Sequence, residues 1–548
     1  SGFLSMGGQE HFYLEGQVAL AVPLEDGGVF IQCSSQHPSE VQHNVARILN
    51  ISASAVTVEV RRMGGAFGGK ESQPAQWAAM AALAAYKTGR PVKCRLDRDD
   101  DMIMTGKRHD VQGHWKVGFE KNGLINAVEV DMATRAGCSK DLTDAISDRA
   151  MFHFDNAYYF DAIRINCVRC KTNTVSNTAF RGFGGPQGMM LGERMLETIA
   201  RYVGKDPLEV RKLNFYSSNN RNITPYNMKV EDFVLNEIVL ELEEKAAYWK
   251  RREQIFKFNK NSRIIKRGLA LTPVKFGISF TTTALNQAGA LVHIYKDGSI
   301  HLNHGGTEMG QGLYMKVAQI VAEEFQVDVT KIKVSAANTG KVPNTSATAA
   351  SSGTDLNGMA ARTAARTIKR RLTVFAAQEF DVLESEIKFL PNRVQIRNHV
   401  LTFDELIKKA YLNRVQLSAT GFYRTPKIHY NRKTASGRPF LYFAYGAAVS
   451  EVLIDTLTGE SRVLKVDILH DVGKSINPAI DLGQIEGGFV QGMGWLTSEE
   501  LSWDEKGRLM THSPSVYKIP TCGDRPEQFN IDIWDKGFNQ EPTIHRSK

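Results

Sequence analysis

The sequence predicts a mixed α+β protein built as two elongated subdomains, and three observations carry that reading. Strand-like and helix-like patterns alternate along all 548 residues, a charged helical stretch interrupts them near the middle, and the order of elements before that stretch returns after it. A chain of this length exceeds what one hydrophobic core usually serves. The division that follows is 1–230 for a first subdomain, 231–266 for a helical bridge and 267–548 for a second.

Taken in order, 41–49 reads as a helix, 56–60 as a strand, 64–70 as a glycine loop and 76–87 as a helix of small residues. The bridge is set apart by Glu241, Glu243, Glu244, Lys245, Lys250, Arg251 and Arg252. Beyond it, 313–325 reads as a helix, 332–334 as a strand, 339–353 as a small-residue loop and 359–372 as a helix, which is the same helix-strand-loop-helix unit and resembles an internal duplication. Pro186 suits the first turn of a helix carrying Met190, Met195 and Ile199, because its missing N–H would go unpaired there anyway, and Gly204 suits the stop. Gly312 opens the helix of Val317, Ile320, Val321 and Glu324. Both glycine loops are expected to aim the partial positive charge of a helix N-terminus at whatever they surround.

Bulk composition excludes several classes. No apolar run approaches the ~20 residues a bilayer requires, and the nearest, 77–86, reads as a buried alanine-rich helix. The N-terminus has no basic-then-apolar signal pattern, so the expectation is a cytoplasmic protein without membrane association. Lys250-Arg251-Arg252 and Lys369-Arg370-Arg371 lie in helix-like segments without interleaved aromatic platforms, which predicts solvated faces and no nucleic-acid partner. Six cysteines in so long a chain fit a reducing compartment. The one C-x-x-C, Cys167 to Cys170, sits in a strand-like stretch over 162–172 and predicts two structural thiols.

The chemistry gathers in loops rich in glycine and other small residues: Met63-Gly64-Gly65-Ala66-Phe67-Gly68-Gly69-Lys70-Glu71, Phe180-Arg181-Gly182-Phe183-Gly184-Gly185-Pro186-Gln187, His304 to Gly312, 343–353, and Gln484 to Gly492. Glycine and alanine allow a backbone to approach a ligand closely, and bare N–H groups form anion-binding concavities. Several such loops, distant in sequence, predict one large phosphate-bearing cofactor. Gly64-x-x-x-x-Gly69-Lys70 also meets most of a P-loop pattern, but Glu71 stands where Ser or Thr must ligate Mg²⁺, and its charge would repel phosphate. Glu71 reads either as an acid or acceptor inside a site or as a carboxylate capping the next helix. Arg181 reads as a stacked structural arginine or as a guanidinium left open to a ligand by its glycine neighbours. His470-Asp471 has neither metal-ligand nor triad spacing and reads as structural.

Together these loops resemble those of the molybdopterin-dependent hydroxylases of the xanthine oxidase and aldehyde oxidase family. Its marks run in order from Gly7-Gly8-Gln9-Glu10-His11-Phe12-Tyr13-Leu14-Glu15 through the glycine loops to Lys275-Phe276-Gly277-Ile278-Ser279-Phe280 and Gly421-Phe422-Tyr423-Arg424-Thr425-Pro426. The resemblance implies two molybdopterin-binding subdomains, the first incomplete at its N-terminus and the second at its C-terminus. It implies a molybdenum-bearing molybdopterin whose metal is held by the pterin dithiolene, with no side-chain ligand. Gln36, in Ser34-Ser35-Gln36, matches the glutamine that bonds an oxygen ligand of the metal, although Ser35 stands where Thr is usual. Phe67, Gly68, Arg181, Gly182, Gln311, Ala349, Ala350, Ser351 and Gln491 match positions around the metal, the pterin and its phosphate. Phe183 and Phe280, the latter followed by Thr281, match the aromatic walls that hold a flat heterocycle. Glu71 and Arg149 match the carboxylate and guanidinium that contact purines in xanthine-oxidising members, a pair that aldehyde oxidases generally lack.

The implied reaction is oxidative hydroxylation of hypoxanthine and xanthine to urate with water as the oxygen source. Electrons would pass to 2Fe-2S clusters and FAD on other modules or a partner subunit, within a homodimer of the complete enzyme. The family's general-base glutamate lies in an Ala-Val-Gly-Glu-Pro-Pro segment directly after a Ser-Lys pair, and the sequence given ends at Ser547-Lys548. The expectation is that these 548 residues alone are catalytically deficient. Alternatives are an aldehyde or other N-heterocycle hydroxylase of the same family, and a cofactor-holding chain that is not itself catalytic.

Overall fold

The computed structural model describes residues 1–548, which form two compact units. The first comprises Ser1–Phe12, Arg98–Thr281 and Lys427–Lys548, and the second Tyr13–Asp97 and Thr282–Pro426. Each draws segments from both sides of 231–266, so the units interleave along the chain. Helices and several sheets occur in both, as a mixed α+β class requires. No helix is long and apolar enough to cross a membrane.

In the first unit one sheet has the order Gly2–Met6, Val111–Phe119, Ile125–Gly137, Ala162–Lys171. The first three strands are antiparallel, and the last pair is parallel. A parallel pair needs a crossover connection, and the helix Thr143–Phe152 lies in it. Cys167 and Cys170, three apart on that edge strand, point to opposite faces and are free thiols. A second sheet has the order Gln528–Ile533, Ser461–His470, Tyr442–Asp455, Ile265–Ile278, with its two longest strands paired over their whole length. The bridge forms the helices Leu235–Lys245 and Tyr248–Asn261, which pack on this sheet. One apolar core joins residues of both sheets and of the helix Gly185–Val203.

One charged cluster departs from expectation. Arg251 is buried, bonding Glu451 at 2.9 Å and Asp467 at 2.8 Å, while Arg252 meets Asp206 at 2.8 Å. Lys250-Arg251-Arg252 is therefore no simple solvated face. A guanidinium can enter an interior when carboxylates on neighbouring strands satisfy its donors, and those strands are some 200 residues away in sequence.

The second unit carries the duplicated pattern, and the repeat is longer than the sequence reading drew it. The hairpin Val18–Pro23 and Val29–Cys33 leads into the helix Pro38–Leu49, the strand Val56–Val60 parallel to the hairpin, a loop and the helix Pro74–Thr88. The hairpin Gln287–Ile294 and Ile300–His304 leads likewise into Leu313–Phe325, the parallel strand Ile332–Val334, a loop and Gly353–Glu379. Trp77, Ala78, Ala81, Ala82 and Ala85 are buried, as the alanine-rich pattern predicts. The last helix extends well beyond 359–372. Its alanine face packs on the strand Ser418–Arg424, so closely that a Cβ at Gly421 would lie 2.0 Å from the Ala360 carbonyl oxygen.

Candidate functional site

In the second unit, Gln36 follows the strand Val29–Cys33 and is 3% exposed. Its Oε1 accepts from the Gly68 amide at 2.9 Å, and its Nε2 donates to the Thr348 carbonyl at 3.0 Å. The backbone adds Gln36 N to Lys70 O at 2.7 Å and Thr348 N to Gln36 O at 2.9 Å. Thr348 Oγ1 accepts from Thr307 N, and Met63 N donates to Glu308 O. These bonds bring together four connecting segments, which carry Gln36, then Phe67, Gly68 and Glu71, then Gln311, and then Ala349, Ala350 and Ser351. Glu71 is 6% exposed, and its amide donates to Gly68 O. The cap position of the following helix is held by Gln73.

One expectation about this unit is overturned. The N-terminus of Leu313–Phe325 is not offered to a ligand, because the buried Glu308 carboxylate accepts the amides of Gly310, Gly312 and Tyr314 at 2.9–3.0 Å. An internal carboxylate already takes the N-cap amide and one amide of the first turn, and its charge sits at the positive end of the dipole. Gln311 is also engaged within its loop, accepting from Met309 N at 2.7 Å and donating to Thr307 O at 2.9 Å. Sequence reading missed Glu308 and Thr348. The available signal was a lone carboxylate placed two and four residues before glycines at a helix start.

In the first unit, Arg181 Nη2 donates to Gln484 O at 2.7 Å, and its guanidinium lies against Gly488 of the helix Pro478–Leu496. Burial lowers the Arg181 pKa. A Cβ on Gly488 would stand 3.4 Å from Nη2, in van der Waals contact with the guanidinium. The Phe183 loop abuts the helix that carries Arg149, since a Cβ at Gly184 would lie 2.1 Å from Ile146 O. Arg149 is 1% exposed. It donates to the carbonyls of Ser279, at 3.2 Å, and Gly277, and lies over the ring of Phe276 at 4.7 Å. Burial lowers its pKa to about 10, so it stays charged at neutral pH. It thereby holds the backbone just before Phe280, which is buried, and Thr281, which is partly exposed.

Phe67, Phe183, Ala350 and Ser351 all have φ between 52° and 56°. A left-handed conformation costs a non-glycine residue ~1–2 kcal/mol, and such strain gathers where function over-determines the backbone. Gln491 Oε1 is buried without a hydrogen-bond partner. An orphaned buried acceptor costs ~1–3 kcal/mol. Along the same helix, a Cβ at Gly483 or Gly492 would meet nothing within 4 Å. An unmet buried acceptor fits a group that offers N–H donors, as a pterin does.

Models of the molybdopterin cofactor-binding domain match residues 1–215 and 241–526. The chain belongs to the molybdopterin cofactor-binding family. Within it, the chain is 47% identical over 533 residues to a xanthine dehydrogenase/oxidase of Gallus gallus, covering 97% of this chain and 38% of that protein. A xanthine dehydrogenase of Drosophila pseudoobscura pseudoobscura is 46% identical with the same coverage. The chain thus spans about two-fifths of the length of these curated relatives. Quinoline 2-oxidoreductase from Pseudomonas putida 86 has the same fold, with TM-score 0.86 and 22% identity, covering 98% of this chain and 69% of that one. Aldehyde oxidoreductase from Desulfovibrio gigas gives TM-score 0.82 and 25% identity, covering 97% and 55%. Molybdopterin is therefore the cofactor class of this chain.

Proposed function

We propose that this chain is the molybdenum-binding portion of a xanthine dehydrogenase-type hydroxylase that converts hypoxanthine and xanthine to urate. The observation that carries the reading is Glu71, a buried carboxylate at the end of the glycine loop that Gln36 ties down, in a chain 47% identical to a xanthine dehydrogenase/oxidase. When bound, the cofactor supplies the two-electron oxidant and activates water, the source of the added oxygen.

The chain's own residues hold and orient. Gln491 would meet a pterin N–H through Oε1, and Arg181 would carry positive charge toward the phosphate. Gly68, Ala350 and Ser351 would bring main chain close to the group, and the second N–H of Gln36 Nε2 remains for an oxygen acceptor. Glu71 would orient a purine by accepting from its ring N–H groups. Phe183 and Phe280 would confine the flat ring, at about 0.5–1.5 kcal/mol for each aromatic contact. Arg149 would stabilise negative charge that develops on a purine oxygen. Electrons would leave to iron-sulfur and flavin modules outside this chain, in a cytoplasmic homodimer.

A second reading has its own support. Two guanidinium nitrogens of Arg149 are engaged by Gly277 and Ser279, an arrangement in which it shapes the Phe280 loop and leaves the substrate to Glu71. That suits an aldehyde or other N-heterocycle hydroxylase. Turnover of xanthine and of an aromatic aldehyde by the full-length protein separates the readings. Glu71→Ala is expected to lower kcat/KM for xanthine by about 100-fold or more and to spare the aldehyde. Equal loss on both substrates, or preference of the parent for the aldehyde, would favour the second reading.

A further inference from the structure

Two buried side chains that match no cofactor position connect residues that do. Gln9 is fully buried. Its Nε2 donates to the Gln491 carbonyl at 2.9 Å and to Glu499 Oε2 at 3.0 Å, while its Oε1 accepts from Arg108 Nε at 2.9 Å. Arg108 Nη1 donates in turn to the Arg181 carbonyl at 3.3 Å. Its guanidinium lies 3.8 Å from the ring centroid of Phe180 and 4.5 Å from that of Trp495. Glu499 Oε2 also takes the Tyr517 hydroxyl at 2.6 Å, and that hydroxyl accepts Glu10 N at 2.8 Å.

The polarity of this chain of bonds allows one arrangement only. Both N–H groups of the Gln9 amide find acceptors and its oxygen finds a charged donor, so flipping the amide would set oxygen against two oxygens. Gln9 meets Gln491, and Arg108 meets Arg181, through main-chain carbonyls, the part of each residue that sets where the side chain starts. The network therefore spaces the Phe180-Arg181 loop against the helix Pro478–Leu496.

We propose that Gln9 and Arg108 are positioning residues that set the spacing between Arg181 and Gln491, and through it the tightness with which the chain holds its pterin. The proposal rests on the assignment of Arg181 and Gln491 to the cofactor. Partners that orient the groups touching a bound metal centre typically change its retention ~10–100-fold when removed.

The test uses full-length, cofactor-loaded protein and two readouts besides activity: the rate at which molybdenum and pterin are lost on dilution, and thermal unfolding. Gln9→Leu removes every bond. The double change Gln9→Glu with Glu499→Gln keeps an acceptor for Arg108 and restores a donor–acceptor pair with position 499, but offers no N–H to the Gln491 carbonyl and takes from the Tyr517 hydroxyl the oxygen it now meets. The expected result is cofactor loss ~10-fold faster or more in the double variant, out of proportion to the fall in its unfolding temperature and to the loss in a variant of equal stability. Arg108→Lys, which keeps charge but loses the fork between Gln9 and Arg181, should behave likewise. Parental retention in a folded double variant would overturn the proposal, as would retention that merely tracks unfolding temperature across the series. Gln491→Ala separates the two levels: if it too leaves retention unchanged, the cofactor assignment itself fails.

Discussion

Gln36 Oε1 lies 2.9 Å from the amide nitrogen of Gly68, and that bond joins the end of a strand to the loop that presents Phe67 and Glu71. Its other amide atom reaches Thr348, 312 residues along the chain. One planar group thus serves two loops, and its two ends have opposite polarity.

Replacing Gln36 with Leu leaves the Gly68 N–H and the Thr348 carbonyl unpaired. Each is expected to cost about 1–3 kcal/mol. Denaturant unfolding should record the loss, and hydrogen exchange at Gly68 should accelerate. Gln36→Glu keeps the acceptor for Gly68 but faces an oxygen at Thr348, so exchange should rise less at Gly68 than in the Leu variant.

Gly188→Ala tests the close approach of two helices in the first unit. The new Cβ would fall 2.0 Å from Ala150 O, so the helices Thr143–Phe152 and Gly185–Val203 must part. Overpacking of this kind costs about 1–3 kcal/mol or more. Gly483→Ala is the contrast: its Cβ meets nothing, and alanine inside a helix is better than glycine by about 0.5–1 kcal/mol. Unfolding temperature should fall for the first and rise for the second.

Asp471→Asn tests a buried ion cluster. Lys548 Nζ lies 2.6 Å from Asp471 and 3.1 Å from Asp232, with Lys548 and Asp471 almost wholly buried. Removing one partner of a buried pair typically costs about 3–5 kcal/mol, and the remaining Asp232 should hold the loss near the lower end. Adding Lys548→Met should recover part of it in denaturant unfolding.

Three buried histidines make the first unit acid-sensitive. Burial, with Lys107 and Arg108 nearby, lowers the pKa of His11 to about 3, and burial lowers that of His109 to about 3. His153 is held well below its usual value by burial and by Arg149 and Lys275. Its geometry agrees, since Nδ1 faces the Arg149 carbonyl and Nε2 accepts from Gly277 N. The unfolded chain binds these protons near pH 6.5 and the folded one does not, so their contribution is whole above pH 6.5 and is lost as pH falls toward 3. Each group adds a slope of about 1.4 kcal/mol per pH unit in that window. Buried Glu499 and Asp155, with raised pKa values, act in the opposite sense. Comparing His109→Gln with the parent at pH 7.5 and 5.5 isolates one histidine: the variant should lose less stability across that interval.

The local elements were legible because they depend on near neighbours. The strand Val56–Val60, the helix opened by Gly185 and Pro186 and closed by Gly204, and the alanine-rich helix Pro74–Thr88 follow from side-chain period and from residues that suit a turn. The duplicated order of elements was legible for the same reason, and the motifs identified the cofactor class. What an individual side chain does was less legible. Glu308 seals a helix end that sequence reading left open, and Arg251 is buried because carboxylates on distant strands receive it.

The sequence by itself determined the mixed class, the repeated order of elements, the other glycine-rich loops and the molybdopterin family, all of which reside in local pattern, whereas Gln484 to Gly492, read as a loop, lies inside the helix Pro478–Leu496. Only the tertiary structure decided that the two units interleave along the chain, that Gln36 spends both amide atoms on Gly68 and Thr348, and that Gln9 and Arg108 link Arg181 to Gln491. The reason is physical. A loop amide can bond many partners, and which one it meets depends on segments hundreds of residues away being folded against it.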